Sequence, residues 1–260
     1  MNNIYLEYNS TWLKVKNKLE YVQNINIYDL IFGEDNSIFN RVISNGKIIN
    51  IDDSEKLNYW EKSRKYMIDN LDNNDYDLIV ELGSGYGRNI FYYLYQFKNK
   101  LINTEIISGE YTQGGCDTQN YIKNKFFNDS NLKIYRFDYN NSKDFFLNIS
   151  NKYKNILILT FWSIEQVTYL NDDFFNNILN LKCDKLKVIN IEPIGWQISE
   201  KSLMKENKTG YRSYYNKNLY IKLKELENKN VIKINNIILD FFNFDEIQSS
   251  GTLIEWEKIF

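Results

Sequence analysis

An apolar run, a glycine-rich turn and the start of an amphipathic pattern follow one another in residues 78–91. The run Leu78–Leu82 has the length of a buried strand, and the pattern that begins at Ile90 predicts a helix. Glycine occupies every second position between them: Gly83, Gly85 and Gly87. Glycine lets a backbone approach a ligand where a β-carbon would collide, next to the positive end of the following helix. The segment therefore indicates a fold that binds its ligand at a strand-to-helix turn.

Short apolar runs alternate with helical patterns along most of the remaining chain. After Leu78–Leu82, such runs occur at 106–107, 133–135, 156–159 and 188–191. Uninterrupted apolar strands separated by helices are typical of a parallel sheet that is covered on both faces. Two last runs, at 231–242 and 251–259, are close enough in sequence to form an antiparallel pair, which we expect at the sheet edge. The pattern predicts an α/β fold with a mostly parallel sheet and an antiparallel last strand.

Three segments follow from this pattern. Residues 1–53 are predicted to form an N-terminal helical cap, and residues 54–260 are predicted to form the α/β domain. Within that domain, the irregular stretch 194–215 follows the fifth strand and is predicted to be a lid insertion. We find no internal repeat and no linker rich in glycine, proline or serine.

Composition excludes several classes of function. The 260 residues include no histidine, so catalytic systems and metal sites that need imidazole are excluded. No cluster of aspartates calls for a divalent ion, so no metal site is predicted. The formal net charge of −2 gives no excess of positive charge for nucleic acid, and no apolar run approaches the roughly 18 residues of a membrane helix. The N-terminus lacks the pattern of a secretory signal, so we expect a cytoplasmic protein.

The spacing of the glycines argues against a dinucleotide. A dinucleotide fingerprint has the form G-x-G-x-x-G, and here Arg88 stands where its last glycine belongs. Glu81, two residues before the first glycine, suits a cationic or amino-bearing ligand instead. A second charge precedes the strand, because Arg64 interrupts the apolar face of a predicted helix. Two interpretations are open for Arg64: a salt bridge at the surface, or contact with an anionic group of the ligand.

The segment Glu81–Gly87 resembles motif I of the class I S-adenosylmethionine-dependent methyltransferases. That resemblance covers residues 54–260 and implies a Rossmann-like, seven-stranded sheet with S-adenosylmethionine as cofactor. It implies that Glu110, at the end of the second strand, holds both ribose hydroxyls, since a carboxylate accepts two hydrogen bonds at once. It also implies that Asp138 reads the adenine amino group. The full predicted cofactor set is Glu81, Gly83, Gly85, Gly87, Glu110, Tyr111, Asp138, Tyr139, Phe161 and Arg64.

Two later strand ends are predicted to hold the acceptor. Base-modifying members of this fold carry a proline motif or a Pro-Cys pair after the fourth strand, whereas residues 160–163 contain neither, so nucleic acid is again disfavoured. The segments 163–167 and 191–197 follow adjacent strands, where open α/β sheets form a crevice. The predicted acceptor-binding set is Trp162, Ser163, Gln166, Trp196, Tyr211, Arg212 and Tyr215. We expect a small-molecule acceptor and leave the oligomeric state open.

The sequence is compatible with two kinds of acceptor oxygen. A sugar hydroxyl needs a general base, for which Glu165 and Glu192 are the candidates if burial raises their pKa. A phosphate or phosphoramidate oxygen needs no base but needs cations, for which the candidates are Arg212, Arg64, Arg88 and Lys205. The segments 163–167 and 191–197 are similar to methyltransferases of bacterial surface-polysaccharide (capsule) biosynthesis, which implies one of these two acceptors. The alternatives are a protein or RNA methyltransferase that needs a partner chain, and a catalytically silent scaffold that binds S-adenosylmethionine.

Overall fold

The computed structural model describes residues 3–24, 26, 30, 41–44, 46–52, 54–73, 76–97, 101–203, 215–244 and 250–260. Within these residues there are eight α-helices and nine strands. The helices are α1 (Asn3–Glu20), α2 (Lys56–Asn73), α3 (Arg88–Gln96), α4 (Gln113–Phe126), α5 (Lys143–Ile149), α6 (Asp172–Leu179), α7 (Gly195–Ile198) and α8 (Leu219–Asn228). The strands are β1 (Arg41–Ser44), β2 (Lys47–Asn50), β3 (Leu78–Leu82), β4 (Glu105–Glu110), β5 (Leu132–Arg136), β6 (Asn155–Phe161), β7 (Lys185–Glu192), β8 (Ile232–Phe244) and β9 (Gly251–Lys258).

All nine strands belong to one sheet, in the order β2-β1-β8-β9-β7-β6-β3-β4-β5. Strands β3 to β7 are parallel, and β9 pairs antiparallel with both β7 and β8. The α/β class, the mostly parallel sheet and the antiparallel last strand are thereby confirmed. The chain order reverses between β3 and β6, so the carboxyl ends of these strands border the crevice that α/β sheets use for ligands.

The apolar strands are buried because helices cover both faces of the sheet. Side chains alternate along β3, so that Ile79 packs with one hydrophobic cluster while Leu78 and Val80 pack with the other. The first cluster contains residues of α1 to α4, and the second contains residues of α5, α6 and α8. All five residues of β3 are buried, as the continuous apolar run predicts.

The N-terminal segment differs from the predicted helical cap. Residues 3–20 are helical, but β1 and β2 form an antiparallel hairpin, and β1 pairs with β8. The terminal pair β8–β9 therefore lies inside the sheet and not at its edge, and the sheet has two strands more than the seven predicted. The hairpin forms because Val42 and Ile43 are buried against the sheet, while Gly46 adopts a φ of 75° in the turn. Among the helices described, none is long and apolar enough to cross a membrane.

Candidate functional site

The glycine turn between β3 and α3 is shaped by positive φ angles. Gly83, Gly85 and Gly87 have φ values of 70°, 59° and 86°, which favour glycine over any residue with a side chain. At Gly83 there is also no room, since a β-carbon would lie 2.4 Å from Ser163 Cβ. The turn is fixed to β4, because the Gly83 N–H donates to the Gly109 carbonyl at 2.7 Å. The glycines thus bring the turn against the ends of two neighbouring strands.

Glu110 ends β4 beside this turn and is 4% exposed. Its Oε2 accepts a hydrogen bond from the Gly85 N–H at 2.9 Å. Its Oε1 accepts from the Thr112 N–H at 2.8 Å and from the Thr112 hydroxyl at 2.6 Å. Burial raises the pKa of Glu110, while these hydrogen bonds oppose the rise. The carboxylate is therefore held in one orientation by the turn before it and the helix start after it.

The end of β5 supplies an acid and a tyrosine. Asp138 Oδ1 accepts from the Asn140 N–H at 2.8 Å and so fixes the turn that follows the strand. The Tyr139 hydroxyl donates to the Leu82 carbonyl at 3.1 Å and shares a 2.7 Å hydrogen bond with Ser163 Oγ. Burial raises the pKa of Tyr139 well above its ordinary value, so the phenol stays protonated. Tyr139 thereby ties β5 to β3 and to the turn after β6.

That turn begins at Trp162, which has a φ of 45°, and it is held from β7 by Glu192. The fully buried Glu192 carboxylate accepts hydrogen bonds from the Ser163 N–H at 3.1 Å and the Glu165 N–H at 3.3 Å. Burial raises the pKa of Glu192 to about 7, and hydrogen bonds from Thr160 and backbone amides oppose the rise. The geometry favours a role for Glu192 in holding the turn over its predicted role as a base.

A cavity of about 150 Å³ lies between these strand ends and helix α1. Two of its lining residues are acids, Glu110 and Asp138, and none of the described lining residues is a lysine or arginine. The cavity is lined by Ile4, Tyr8, Trp12, Gly83, Gly85, Glu110, Tyr111, Thr112, Asp138, Tyr139, Asn140, Trp162, Ser163, Gln166 and Val167. An acidic, partly aromatic lining fits a ligand that carries hydroxyl groups and positive charge, and it does not fit a pyrophosphate.

Helix α1 forms the roof of the cavity, by which we mean Ile4, Tyr8 and Trp12. The roof lies directly on the glycine turn, since a β-carbon at Gly85 would be 2.9 Å from Trp12 Cζ2. These three residues are not among those predicted from the sequence to form the site. The sequence nevertheless contains a pattern that indicates them, because Tyr8 and Trp12 are four residues apart and therefore lie on one helix face.

Helix α1 is held in place by α4. The Gly114 N–H donates to Asn9 Oδ1 at 2.6 Å, and the Thr118 hydroxyl donates to the Trp12 carbonyl at 2.8 Å. A β-carbon at Gly114 would lie only 2.4 Å from the Asn9 carbonyl oxygen, so the two helices approach as closely as a glycine allows. The roof is thus built on a specific contact between two helices.

The structure brings nine of the predicted site residues to the cavity. They are Gly83, Gly85, Glu110, Tyr111, Asp138, Tyr139, Trp162, Ser163 and Gln166. Its lining, as far as the chain is described, does not include Glu81, Gly87, Phe161, Arg64, Glu165, Glu192, Trp196 or Tyr215. Tyr211 and Arg212, with half of the predicted lid, lie outside the described residues. Besides the roof, three further lining residues were not predicted, because they occupy turns without a distinctive motif: Thr112, Asn140 and Val167.

Two of the residues that do not line the cavity, Arg64 and Glu81, form a buried cluster with Asn89 beneath the glycine turn. Arg64 Nε donates to Asn89 Oδ1 at 3.1 Å, and Asn89 Nδ2 donates to Glu81 Oε1 at 2.7 Å. The other carboxylate oxygen, Glu81 Oε2, is buried and accepts no hydrogen bond from the residues described. Burial raises the pKa of Glu81 to about 7, against the hydrogen bond from Asn89 and the charge of Arg64. An acceptor without a donor, two residues before the first glycine of the turn, fits a cationic ligand.

Three solved structures with the same fold are methyltransferases. Magnesium protoporphyrin IX methyltransferase from Synechocystis PCC 6803, with bound SAH (S-adenosylhomocysteine), is 11% identical over 98% of both chains, with a TM-score of 0.52. An O-methyltransferase from Bacillus cereus in complex with SAH is 11% identical over 96% of this chain and 100% of that chain, also with a TM-score of 0.52. Geranyl diphosphate methyltransferase, in complex with GPP and sinefungin, is 9% identical over 97% and 98% of the two chains, with a TM-score of 0.54.

The chain has the Rossmann-like methyltransferase fold. At 9–11% identity, these structures establish the fold alone, and the molecules named in them differ widely. Neither a protein-family model nor a curated protein matches the sequence significantly. Any assignment of activity therefore has to rest on the cavity.

Proposed function

We propose that this protein is an S-adenosylmethionine-dependent methyltransferase that methylates an oxygen of a small molecule. The observation that carries the proposal is that the glycine turn and the Glu110 carboxylate face one cavity at the carboxyl ends of β3 and β4. Bound SAH in two structures of the same fold, each similar over nearly the whole chain, supports the choice of cofactor.

The residues present fit this cofactor. Glu110, whose carboxylate already accepts hydrogen bonds from Gly85 and Thr112, is proposed to use its remaining acceptor capacity for the ribose hydroxyls, and Asp138 is proposed to accept a hydrogen bond from the adenine amino group. Tyr111 offers an aromatic face beside Glu110. Glu81 Oε2, buried and without a donor, suits the ammonium of the methionine part. Arg64, for which contact with an anionic group of the ligand was predicted, is instead stacked between aromatic rings, where it contacts Asn89.

The acceptor side of the cavity is formed by the roof, Trp162 and Gln166. S-adenosylmethionine, when bound, supplies a methyl group that its sulfonium already activates. The protein then has to align the acceptor oxygen and exclude water, and a roof packed onto the glycine turn serves both tasks. Because a cavity of about 150 Å³ is smaller than ordinary ligand pockets of roughly 300 Å³ or more, we further propose that α1 acts as a lid that opens for entry.

The lining favours a hydroxyl acceptor over a phosphate, since no lysine or arginine is present among the described lining residues. A hydroxyl needs a base, and Glu165 is better placed for this than Glu192. Its Oε1 accepts from Gln166 Nε2 at 2.8 Å, so Glu165 adjoins a residue of the lining, whereas Glu192 is occupied by backbone amides. That the acceptor is a sugar or a phosphoramidate group of capsule biosynthesis remains a prediction from the sequence.

Calorimetric titration with S-adenosylhomocysteine tests the proposal. We expect binding in the micromolar range and a loss of about tenfold or more in Glu110→Ala, the order of a lost charged hydrogen bond. Glu105→Ala is the matched control, because Glu105 is at the other end of the same strand and binds Lys133 away from the cavity. A folded protein that ignores S-adenosylhomocysteine and S-adenosylmethionine at millimolar concentration would refute the proposal.

The choice of acceptor and base needs a second experiment. Transfer of a labelled methyl group to panels of hydroxylated and phosphorylated acceptors is expected to label the hydroxylated ones. Glu165→Gln should then lower turnover about a hundredfold, the usual contribution of a general base, with cofactor affinity unchanged. Labelling of phosphorylated acceptors alone would instead favour the phosphate acceptor.

A further inference from the structure

The Arg64 guanidinium is buried without a carboxylate partner among the described residues. Its side chain on α2 is 5% exposed and lies 4.1 Å from the Trp60 ring centroid and 4.7 Å from that of Phe161. Its hydrogen bonds go to Asn89 Oδ1 and to the Ser63 hydroxyl. Burying a cation is costly unless it is paired, so a buried Arg64 without a carboxylate partner requires a physical explanation.

The reason lies in Asn89, whose amide is oriented by Arg64. A guanidinium only donates hydrogen bonds, so the end of the amide that faces Arg64 must be the acceptor, Oδ1. The donor end, Nδ2, is then turned toward Glu81 and donates to Oε1 at 2.7 Å. Without Arg64, Asn89 Oδ1 would lose its donor, and only the Glu81 carboxylate would still fix the orientation of the amide.

Glu81 is 2% exposed, and Asn89 holds one of its two oxygens. We propose that Arg64 is a positioning residue that acts through Asn89 to orient the Glu81 carboxylate for the ammonium group of the cofactor. This inference rests on the proposed function, because the ammonium belongs to S-adenosylmethionine. Arg64 thereby acts on the cofactor at a distance of two side chains and without touching it.

Charges around the carboxylate agree with this arrangement. Arg64 favours the ionised form of Glu81, whereas Glu110 opposes it from β4. Three titratable groups of helix α3 also act on the pKa of Arg64: Arg88, Tyr92 and Tyr93. The positive charge of Arg64 offsets only part of the cost of ionising the buried Glu81 carboxylate, and Oε2 accepts no hydrogen bond from the described residues.

Affinities for two ligands distinguish this positioning role from a purely structural one. S-adenosylhomocysteine carries the ammonium, whereas 5′-methylthioadenosine keeps the nucleoside and lacks the amino-acid part. Arg64→Met is expected to weaken S-adenosylhomocysteine by about tenfold, the order of a charge-assisted hydrogen bond, and to leave 5′-methylthioadenosine within about twofold. Lys65→Met, at the neighbouring exposed position, is the matched control and should change neither affinity.

Asn89→Asp is the second variant, because it keeps the size of the side chain but cannot donate to Glu81 when ionised. Asn89→Asp should also lose affinity for S-adenosylhomocysteine while its affinity for 5′-methylthioadenosine stays unchanged. In a Glu81→Gln background, Arg64→Met should cost no further affinity for S-adenosylhomocysteine beyond about twofold, since residues that act as one unit are not additive. Arg64→Lys, which restores a donor, should recover part of the loss.

Equal losses for the two ligands, or full additivity with Glu81→Gln, would overturn the role of Arg64. If neither ligand bound to the unaltered protein, the proposed function would be refuted instead, so the two failures are distinguishable. Circular dichroism and the melting temperature of each variant establish that it is folded. If Arg64→Met does not fold, Asn89→Asp decides the matter alone.

Discussion

Gly115 makes the space that Glu110 occupies. A β-carbon at Gly115 would lie 2.6 Å from Glu110 Cγ and 2.8 Å from its Oε1. The first turn of α4 therefore packs directly behind the carboxylate that ends β4. Together with the hydrogen bonds from Thr112 and Gly85, this contact leaves the carboxylate one position.

Gly115→Ala is expected to displace that carboxylate. Alanine is favoured over glycine in a helix by about 1 kcal/mol, so the substitution by itself should not melt α4. The collision with Glu110 should instead lower affinity for S-adenosylhomocysteine by about tenfold, close to the effect of a lost hydrogen bond to a charged group. Calorimetry together with a melting curve checks both parts.

Gly114→Ala is the contrasting variant at the next position. Its β-carbon would meet the Asn9 backbone oxygen and not Glu110, so it should displace α1. Amide hydrogen exchange in residues 3–20 should become faster, while residues 105–110 stay protected. Unchanged exchange in α1 would contradict the contact described between the two helices.

Much of the fold can be predicted from the sequence because its signals are local. The strand Leu78–Leu82 and its glycine turn are encoded within ten residues, and both form as expected. The pairing of β1 with β8 could not be predicted, because β8 is remote in the chain and such pairing leaves no local pattern. The β1–β2 hairpin was also missed. A local signal for the turn did exist, since Asn45 and Gly46 form the dipeptide typical of two-residue hairpins.

The position of two predicted acids at the cavity follows from a similarly simple signal. Glu110 and Asp138 stand at strand ends, so their meeting at one cavity follows from parallel pairing. The contacts of Arg64 could not be predicted, because they depend on how α2 packs against Phe161 and α3. For the same reason, the position of Trp12 over the glycine turn follows only from the docking of α1 on α4.

Trp12→Ala is expected to loosen the roof. The indole covers Gly85 and packs 5.4 Å from the Tyr86 ring, so its loss should open the cavity to water. We expect S-adenosylhomocysteine to dissociate about tenfold faster, since affinity changes among related variants appear mostly in the off-rate. Stopped-flow displacement measures this rate. Leu6→Ala is the control on the same helix, because Leu6 is 51% exposed; an equal effect there would refute the role of the roof.

Glu192→Gln separates a structural role from a catalytic one. The substitution replaces one acceptor oxygen by an amino group that faces the Ser163 and Glu165 amides. We expect a loss of about 1–3 kcal/mol in the free energy of unfolding, the cost of breaking a buried polar contact. Urea denaturation at pH 8 measures it. Full stability with loss of turnover would restore Glu192 as the base.

Glu81→Gln is expected to stabilise the apo protein at high pH while it weakens cofactor binding. Because the pKa of Glu81 is about 7 in the folded state and near 4.5 in a free glutamate, the folded protein holds its proton over a range in which the unfolded chain has released it. Stability therefore falls as pH rises from about 4.5 to 7 and stays lower above that range. Each pKa unit corresponds to about 1.4 kcal/mol, so the effect amounts to a few kcal/mol.

The amide that Glu81→Gln introduces can still accept a hydrogen bond from Asn89, and it carries no charge that needs solvation. Urea denaturation of the apo protein at pH 5 and pH 8 should show a smaller difference in Glu81→Gln than in the unaltered protein. Glu192 has a pKa raised in the same direction, so part of the slope should persist. A slope unchanged by the substitution would mean that Glu81 does not titrate in this range and that its burial is compensated by another cation.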